Sequence, residues 1–142
     1  MEELAAGLAA ERITPDELEE LERILVEIND YIARDDFDKI VDADIRFHGI
    51  LYKASRNNRL VDILRNLREQ MLRFRSISMH YPGRLAATWE EHRQLVECIA
   101  NRNSTQARKI AKKHMENSER TLIMGINQDE TSARLVHELF PH

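Results

Sequence analysis

The sequence has little of the residues that break helices or cross-link chains. Its 142 residues include only 4 Gly, 3 Pro and one cysteine, Cys98, and aromatic residues make up 6%. A single cysteine excludes an internal disulfide framework. No apolar run approaches the roughly 18 residues that span a bilayer, which excludes membrane insertion. Positive charge is not in excess either, since 21 basic residues face 25 acidic ones, so the chain alone is predicted to bind nucleic acid poorly.

The residues that are present indicate one helical domain. Hydrophobic residues make up 42% and charged residues 32% of the chain, and the formal net charge is −4, a balance typical of globular proteins with a real core. A chain of this length fits one domain, and its start lacks the features of a secretory signal, so we expect a cytoplasmic protein. Abundant Leu, Ala, Glu, Arg and Ile favour helix over strand. We therefore predict an all-α domain over residues 1–142.

Apolar spacing and capping residues predict an antiparallel bundle of six to seven helices. Thr14 and Pro15 suit the N-cap and first position of a helix, and Tyr81, Pro82 and Gly83 form the clearest loop. The other breaks are short, which places successive helices side by side in opposite directions. The predicted helices are residues 2–12, 15–33, a third after Asp35 and Asp36 that reaches Ala54, 59–78, 85–100, 104–125 and, after a turn at 127–129, a weaker one at 130–139.

Polar side chains interrupt the apolar stripes of three of these helices. Asp44 and His48 lie one turn apart on the third helix, and His92 and His114 lie at the centres of the fifth and sixth stripes. A polar group on a buried stripe needs a partner. One buried histidine is more often a core residue bonded to a carbonyl, but a divalent metal satisfies all four groups together. We therefore predict a metal site formed by these four residues.

The ligand types restrict the metal and leave room for a second ligand. Imidazole and carboxylate suit Zn²⁺, Ni²⁺, Mn²⁺ or Fe²⁺, and the lack of thiolate ligands argues against a closed structural zinc site. A metal that accepts five or six ligands keeps a position for a small organic acid. Arg75 lies near the apolar stripe of the fourth helix. It is either solvated or turned inward to bind the ligand's carboxylate. His80, His137 and His142 are predicted to be peripheral.

One run of residues resembles a known family. The segment from Asp44 to Leu60, DIRFHGILYKASRNNRL, resembles the Asp-x-x-Phe-His signature, followed by Ala-Ser-x-Asn-x-x-Leu, of the FadR-type C-terminal (FCD) domain in GntR-family bacterial regulators. Glu91-His92 and the segment from Ala107 to Met115 are similar to the later histidine motifs of that family in order and approximate spacing. The resemblance covers nearly the whole chain and implies an antiparallel bundle of six or seven helices.

The resemblance also implies an effector-sensing domain that forms a homodimer. Asp44, His48, His92 and His114 would hold the metal, and a small organic acid would complete its coordination. In that family a winged helix-turn-helix that binds operator DNA precedes this domain. The 142 residues contain no such segment, so we expect DNA binding to belong to a domain that is absent from this sequence.

Three functions remain open at this stage. The first is an allosteric sensor without enzymatic activity, in which the effector selects one packing of the bundle and changes the relation between two DNA-binding domains. The second is a mononuclear metalloenzyme, which needs a general base near the metal. No inward carboxylate beyond Asp44 is evident from the stripes, so this function ranks below the first. The third is a metal-free bundle whose histidine-rich core serves dimerisation only.

Overall fold

A computed structural model describes residues 1–128, which form six α-helices and no strand within that range. The all-α prediction is confirmed. The predicted turn at 127–129 is wrong for Asn127 and Gln128, which continue the sixth helix because neither breaks a helix and no proline follows. The terminal helix predicted at 130–139 lies outside the described residues. The helices are α1 (Glu2–Arg12), α2 (Pro15–Ala33), α3 (Phe37–Ala54), α4 (Asn58–His80), α5 (Arg84–Ala100) and α6 (Ser104–Gln128).

Local capping explains where several helices begin. Thr14 and Glu17 form a reciprocal capping box at the start of α2, in which each side chain accepts a hydrogen bond from the other's backbone N–H. The side chains of Asp36 and Asn57 cap α3 and α4 in the same sense. Gly83 precedes α5 with a φ of +81°, a conformation that residues with a side chain rarely adopt. These caps set the register that places the polar residues of each stripe.

Small side chains let α1 lie deep in the bundle against α6. Ala5, Ala6, Ala9 and Ala10 are fully buried. A Cβ atom at Gly7 would overlap the side chain of Arg108, which lies across this face of α1. The main hydrophobic cluster fills the space among α1, α2, α3, α5 and α6. In the described part of the chain, no helix combines the length and the apolar character needed to cross a membrane.

Candidate metal centre

The four polar residues singled out from the sequence meet at the centre of the bundle. Asp44 and His48 come from α3, His92 from α5 and His114 from α6, and each is at most 4% exposed. One ring nitrogen from each histidine lies within 4.8 Å of the others. The Oδ1 atom of Asp44 is 3.4 Å from Nε2 of His48 and 3.8 Å from Nε2 of His92. Three helices thus deliver three imidazoles and one carboxylate to one buried point.

Most of the polar atoms that meet there lack a hydrogen-bond partner. Among the described residues, no hydrogen bond reaches Asp44 Oδ1, either ring nitrogen of His48 or His92, or Nε2 of His114. A buried polar atom without a partner costs about 1–3 kcal/mol, and native proteins contain few of them. An ion at the centre would satisfy one nitrogen of each ring together with Oδ1. The donor set therefore fits a divalent cation that accepts nitrogen and oxygen ligands.

Two arginines of α4 hold the other oxygen of Asp44. Oδ2 accepts hydrogen bonds from Arg75 at 2.6 Å and from Arg68 at 2.9 Å. Burial alone would raise the pKa of Asp44, but the charges of Arg75 and Arg68 help to hold it well below its usual range. Asp44 is therefore an anion whose free oxygen faces the histidines. The Arg75 side chain is only 17% exposed, so it is turned inward, and in this structure it binds Asp44.

His48 and His92 are held in the neutral form that metal binding requires. Burial, aided by the charge of Arg68 and opposed by Asp44, lowers the pKa of His48 to about 4. Burial and the neighbouring rings of His114 and His48 lower the pKa of His92 well below its usual range. A neutral imidazole offers a lone pair, whereas a protonated ring does not. At neutral pH the site thus holds one anion, Asp44, and two neutral donors, His48 and His92.

Glu91 supplies a second carboxylate that the sequence interpretation missed. Its Oε1 lies 2.5 Å from Nδ1 of His114, so the expectation of no inward carboxylate beyond Asp44 is wrong. Burial would raise the pKa of Glu91, but hydrogen bonds from His114 and Arg84 lower it to about 2. In the tautomer that carries its proton on Nδ1, His114 donates a hydrogen bond to the ionised Glu91, and the lone pair on Nε2 is available to an ion at the centre. This carboxylate–histidine contact is the usual support of a metal-binding imidazole.

Arg84 is the reason that Glu91 can be half-buried. Arg84 is 4% exposed and donates to both oxygens of Glu91, at 2.6 and 3.0 Å. It also donates to the hydroxyl of Ser118 on α6, and Asn117 donates to Glu91 Oε2. Arg84 and Glu91 are seven residues apart along α5, a spacing that places both side chains on the same side of the helix. This spacing is the sequence signal that could have indicated their contact. Both oxygens of Glu91 are thereby engaged.

The remaining histidines stand apart from this centre. His80 is exposed at the end of α4, where its ring lies 3.7 Å from that of Phe37, centre to centre. The peripheral placement predicted for His80 is confirmed. His137 and His142 lie outside the described residues. The ring of Phe47, by contrast, stacks on that of His92 at 4.4 Å and fixes its plane.

Comparison with known proteins adds one finding. A family model described as the FCD domain matches residues 1–117, a range that contains all four residues of the centre as well as Arg84 and Glu91. None of the curated proteins matches the chain.

Proposed function

The chain belongs to the FCD domain family, the ligand-sensing regulatory domain of GntR-type regulators, and we propose that it senses its ligand through a buried divalent metal ion. Asp44, His48, His92 and His114 hold this ion. The domain belongs to a family of regulatory effector-binding domains, and in this proposal it acts by binding its ligand. The metal is Zn²⁺, Ni²⁺, Mn²⁺ or Fe²⁺, the ions that take imidazole and carboxylate ligands together.

The observation that carries this proposal is the group of unpaired atoms at the centre. A core of three imidazoles and a carboxylate would be expected to form its own hydrogen bonds if its role were structural. Instead Asp44 Oδ1 and the Nε2 atoms of the three histidines make no hydrogen bond in the described structure, although Oδ1 lies 3.4 Å from Nε2 of His48. Supporting contacts fall outside this group, on Asp44 Oδ2 and His114 Nδ1. This arrangement supports a metal site in which one atom of Asp44 and of His114 is held by neighbouring side chains and the other atom is available to bind the ion.

The ligand in this proposal is a small organic acid. Four protein ligands leave one or two positions on a metal that accepts five or six, and when bound the ion supplies a positive, electron-accepting position for a carboxylate. Ion pairs with Arg68 and Arg75 stabilise the ionised form of Asp44. In this proposal they keep Asp44 bound to the metal while the organic acid exchanges.

A partly buried chain of contacts connects this centre to α1. Arg68 donates to Asp44 at 2.9 Å and lies 3.7 Å from the carboxylate of Glu2 in the first turn of α1. The Tyr52 hydroxyl hydrogen-bonds to the same carboxylate and accepts from Arg68. In this proposal a change in the charge around Asp44 alters the contacts of Glu2 and thereby the position of α1. In the family, the DNA-binding domain precedes this first helix in the sequence. The coupling expected in such a sensor is about 1–3 kcal/mol.

The proposed regulator acts as a homodimer, with all 142 residues forming one effector-binding and dimerisation domain. DNA binding is assigned to a winged helix-turn-helix outside this sequence. Effector binding would then change the relation between two such domains across the dimer.

A thermal-shift experiment with matched histidine variants tests the proposal. Chelator-treated protein is melted with and without Zn²⁺, and with and without small carboxylates, alongside His114→Ala and the exposed-histidine control His80→Ala. A carboxylate should raise Tm only when metal is present, and only in the wild type and His80→Ala, because bound ligand stabilises the native state. A carboxylate shift that persists without metal, or in His114→Ala, contradicts the proposal.

A further inference from the structure

A small space lies beside Asp44 and His92, at the point where α2, α3, α4 and α5 meet. It has room for about one water molecule. Thr88 of α5 also lines this space, and the other lining residues are apolar or, as Trp89, aromatic. The indole N–H of Trp89 already donates to the backbone carbonyl of Leu25 at 2.8 Å. The free polar groups around the space therefore belong to Asp44, Thr88 and His92.

The Thr88 side chain is buried without a hydrogen bond of its own. It is 8% exposed and comes one helical turn before His92, so both residues lie on the same face of α5. A threonine inside a helix can donate to the carbonyl four residues earlier, but among the described residues the Thr88 side chain makes no hydrogen bond. A buried hydroxyl without a partner is disfavoured. A polar group in the adjoining space would satisfy it.

We infer that Thr88 is a further residue of the centre, whose hydroxyl binds a single oxygen atom held in this space at the open position of the ion. This inference rests on the proposed function, since the space adjoins two of the four proposed metal ligands. A buried water molecule usually has about three polar partners, and the ion, Thr88 and Asp44 supply that number. Without an organic acid, the oxygen atom belongs to a water molecule.

The size of the space makes this position selective. One carboxylate oxygen of an organic acid can replace the water, but the apolar walls leave no room for the carbon atoms behind it. An acid therefore binds in a packing of the bundle in which these walls lie farther apart, as expected for a ligand that selects one of two states. Fluoride is about the size of a water molecule and needs no such change.

Fluoride titration of the full chain loaded with Mn²⁺ tests the inference. The relaxation rate of solvent protons reports exchangeable water on Mn²⁺, and fluoride should lower this rate by displacing the water. Thr88→Val keeps the shape of the side chain without the hydroxyl, Thr88→Ser keeps the hydroxyl, and Thr105→Val is the control at an exposed threonine. Fluoride should bind about 10- to 100-fold more weakly to Thr88→Val, because a hydrogen bond to a charged group is lost. The other two variants should match the wild type.

Three results would overturn the role of the hydroxyl. The first is equal fluoride affinity in Thr88→Val and the wild type, and the second is the same loss in Thr88→Ser as in Thr88→Val. The third is loss of Mn²⁺ from Thr88→Val, which would mean that Thr88 is needed for the ion itself. In the wild type alone, azide or thiocyanate that binds as tightly as fluoride would contradict a position of the size of one water molecule.

The outcomes also separate the two proposals. If the wild type binds no divalent metal, the proposed function fails and the inference fails with it. If it binds Mn²⁺ but shows no exchangeable water and no effect of fluoride, the proposed metal site stands and only the role of Thr88 is wrong.

Discussion

Replacing His92 by leucine should change stability in opposite directions with and without metal. In the metal-free protein both ring nitrogens of His92 are buried without a partner among the described residues, and the ring packs on Phe47. Leucine fills a similar volume and carries no polar atom. His92→Leu therefore removes a penalty from the metal-free protein and removes a ligand from the metal-bound protein.

The magnitudes follow from these two effects. An unpaired buried polar group costs about 1–3 kcal/mol, and the change of shape offsets up to about 1.5 kcal/mol of that. The variant should therefore be about 1 kcal/mol more stable than the wild type in chelator. When free metal is at 100 times Kd, the wild type gains about 2.7 kcal/mol and the variant does not, which makes the variant about 2 kcal/mol less stable there.

The assay is urea unfolding of wild type and His92→Leu in EDTA and in excess Zn²⁺, with His80→Leu as the control at an exposed histidine. The control should give the same difference from wild type under both conditions. A His92→Leu variant that is several kcal/mol less stable than wild type in EDTA would refute the reasoning, because it would mean that the imidazole of His92 has structural partners.

Three further outcomes are expected. Burial lowers the pKa of His48 from 6.5 to about 4, so the unfolded chain binds more protons between these values. The free energy of unfolding of the metal-free protein, measured with urea, should then fall by about 3 kcal/mol as pH falls through that range. A free energy of unfolding that does not change with pH would contradict the burial of a neutral ring. Glu91→Gln should weaken Zn²⁺ about 10- to 100-fold, because the carboxylate orients His114, and unchanged affinity in a competition titration would remove that role. Arg68→Met should retain metal but abolish the ligand-induced change in amide exchange at α1, since it breaks the link to Glu2, and an unaltered change would place the coupling elsewhere.

The helices could be predicted from the sequence because their signals are local. A capping box at Thr14 and the Pro82–Gly83 loop act within one turn of chain. The inward placement of Asp44, His48, His92 and His114 was also accessible, because each residue interrupts a regular apolar stripe. The family motif singled out the same four residues.

The surroundings of the centre could not be predicted in the same way. Glu91 lies beside His92 in the sequence and off the apolar stripe, and it is half-buried because Arg84 and residues of α6 bind it. Arg75 is long enough to reach either solvent or Asp44, and its spacing does not decide between them.

The most direct test of the account is elemental analysis of the purified protein after dialysis against metal-free buffer. The account predicts one divalent metal ion per chain in the wild type and a clear loss in His114→Ala, because that variant lacks one of four ligands. Metal well below one per chain that Zn²⁺, Ni²⁺, Mn²⁺ or Fe²⁺ cannot restore would contradict it. The four residues at the centre would then satisfy one another, and the domain would sense its ligand without a metal.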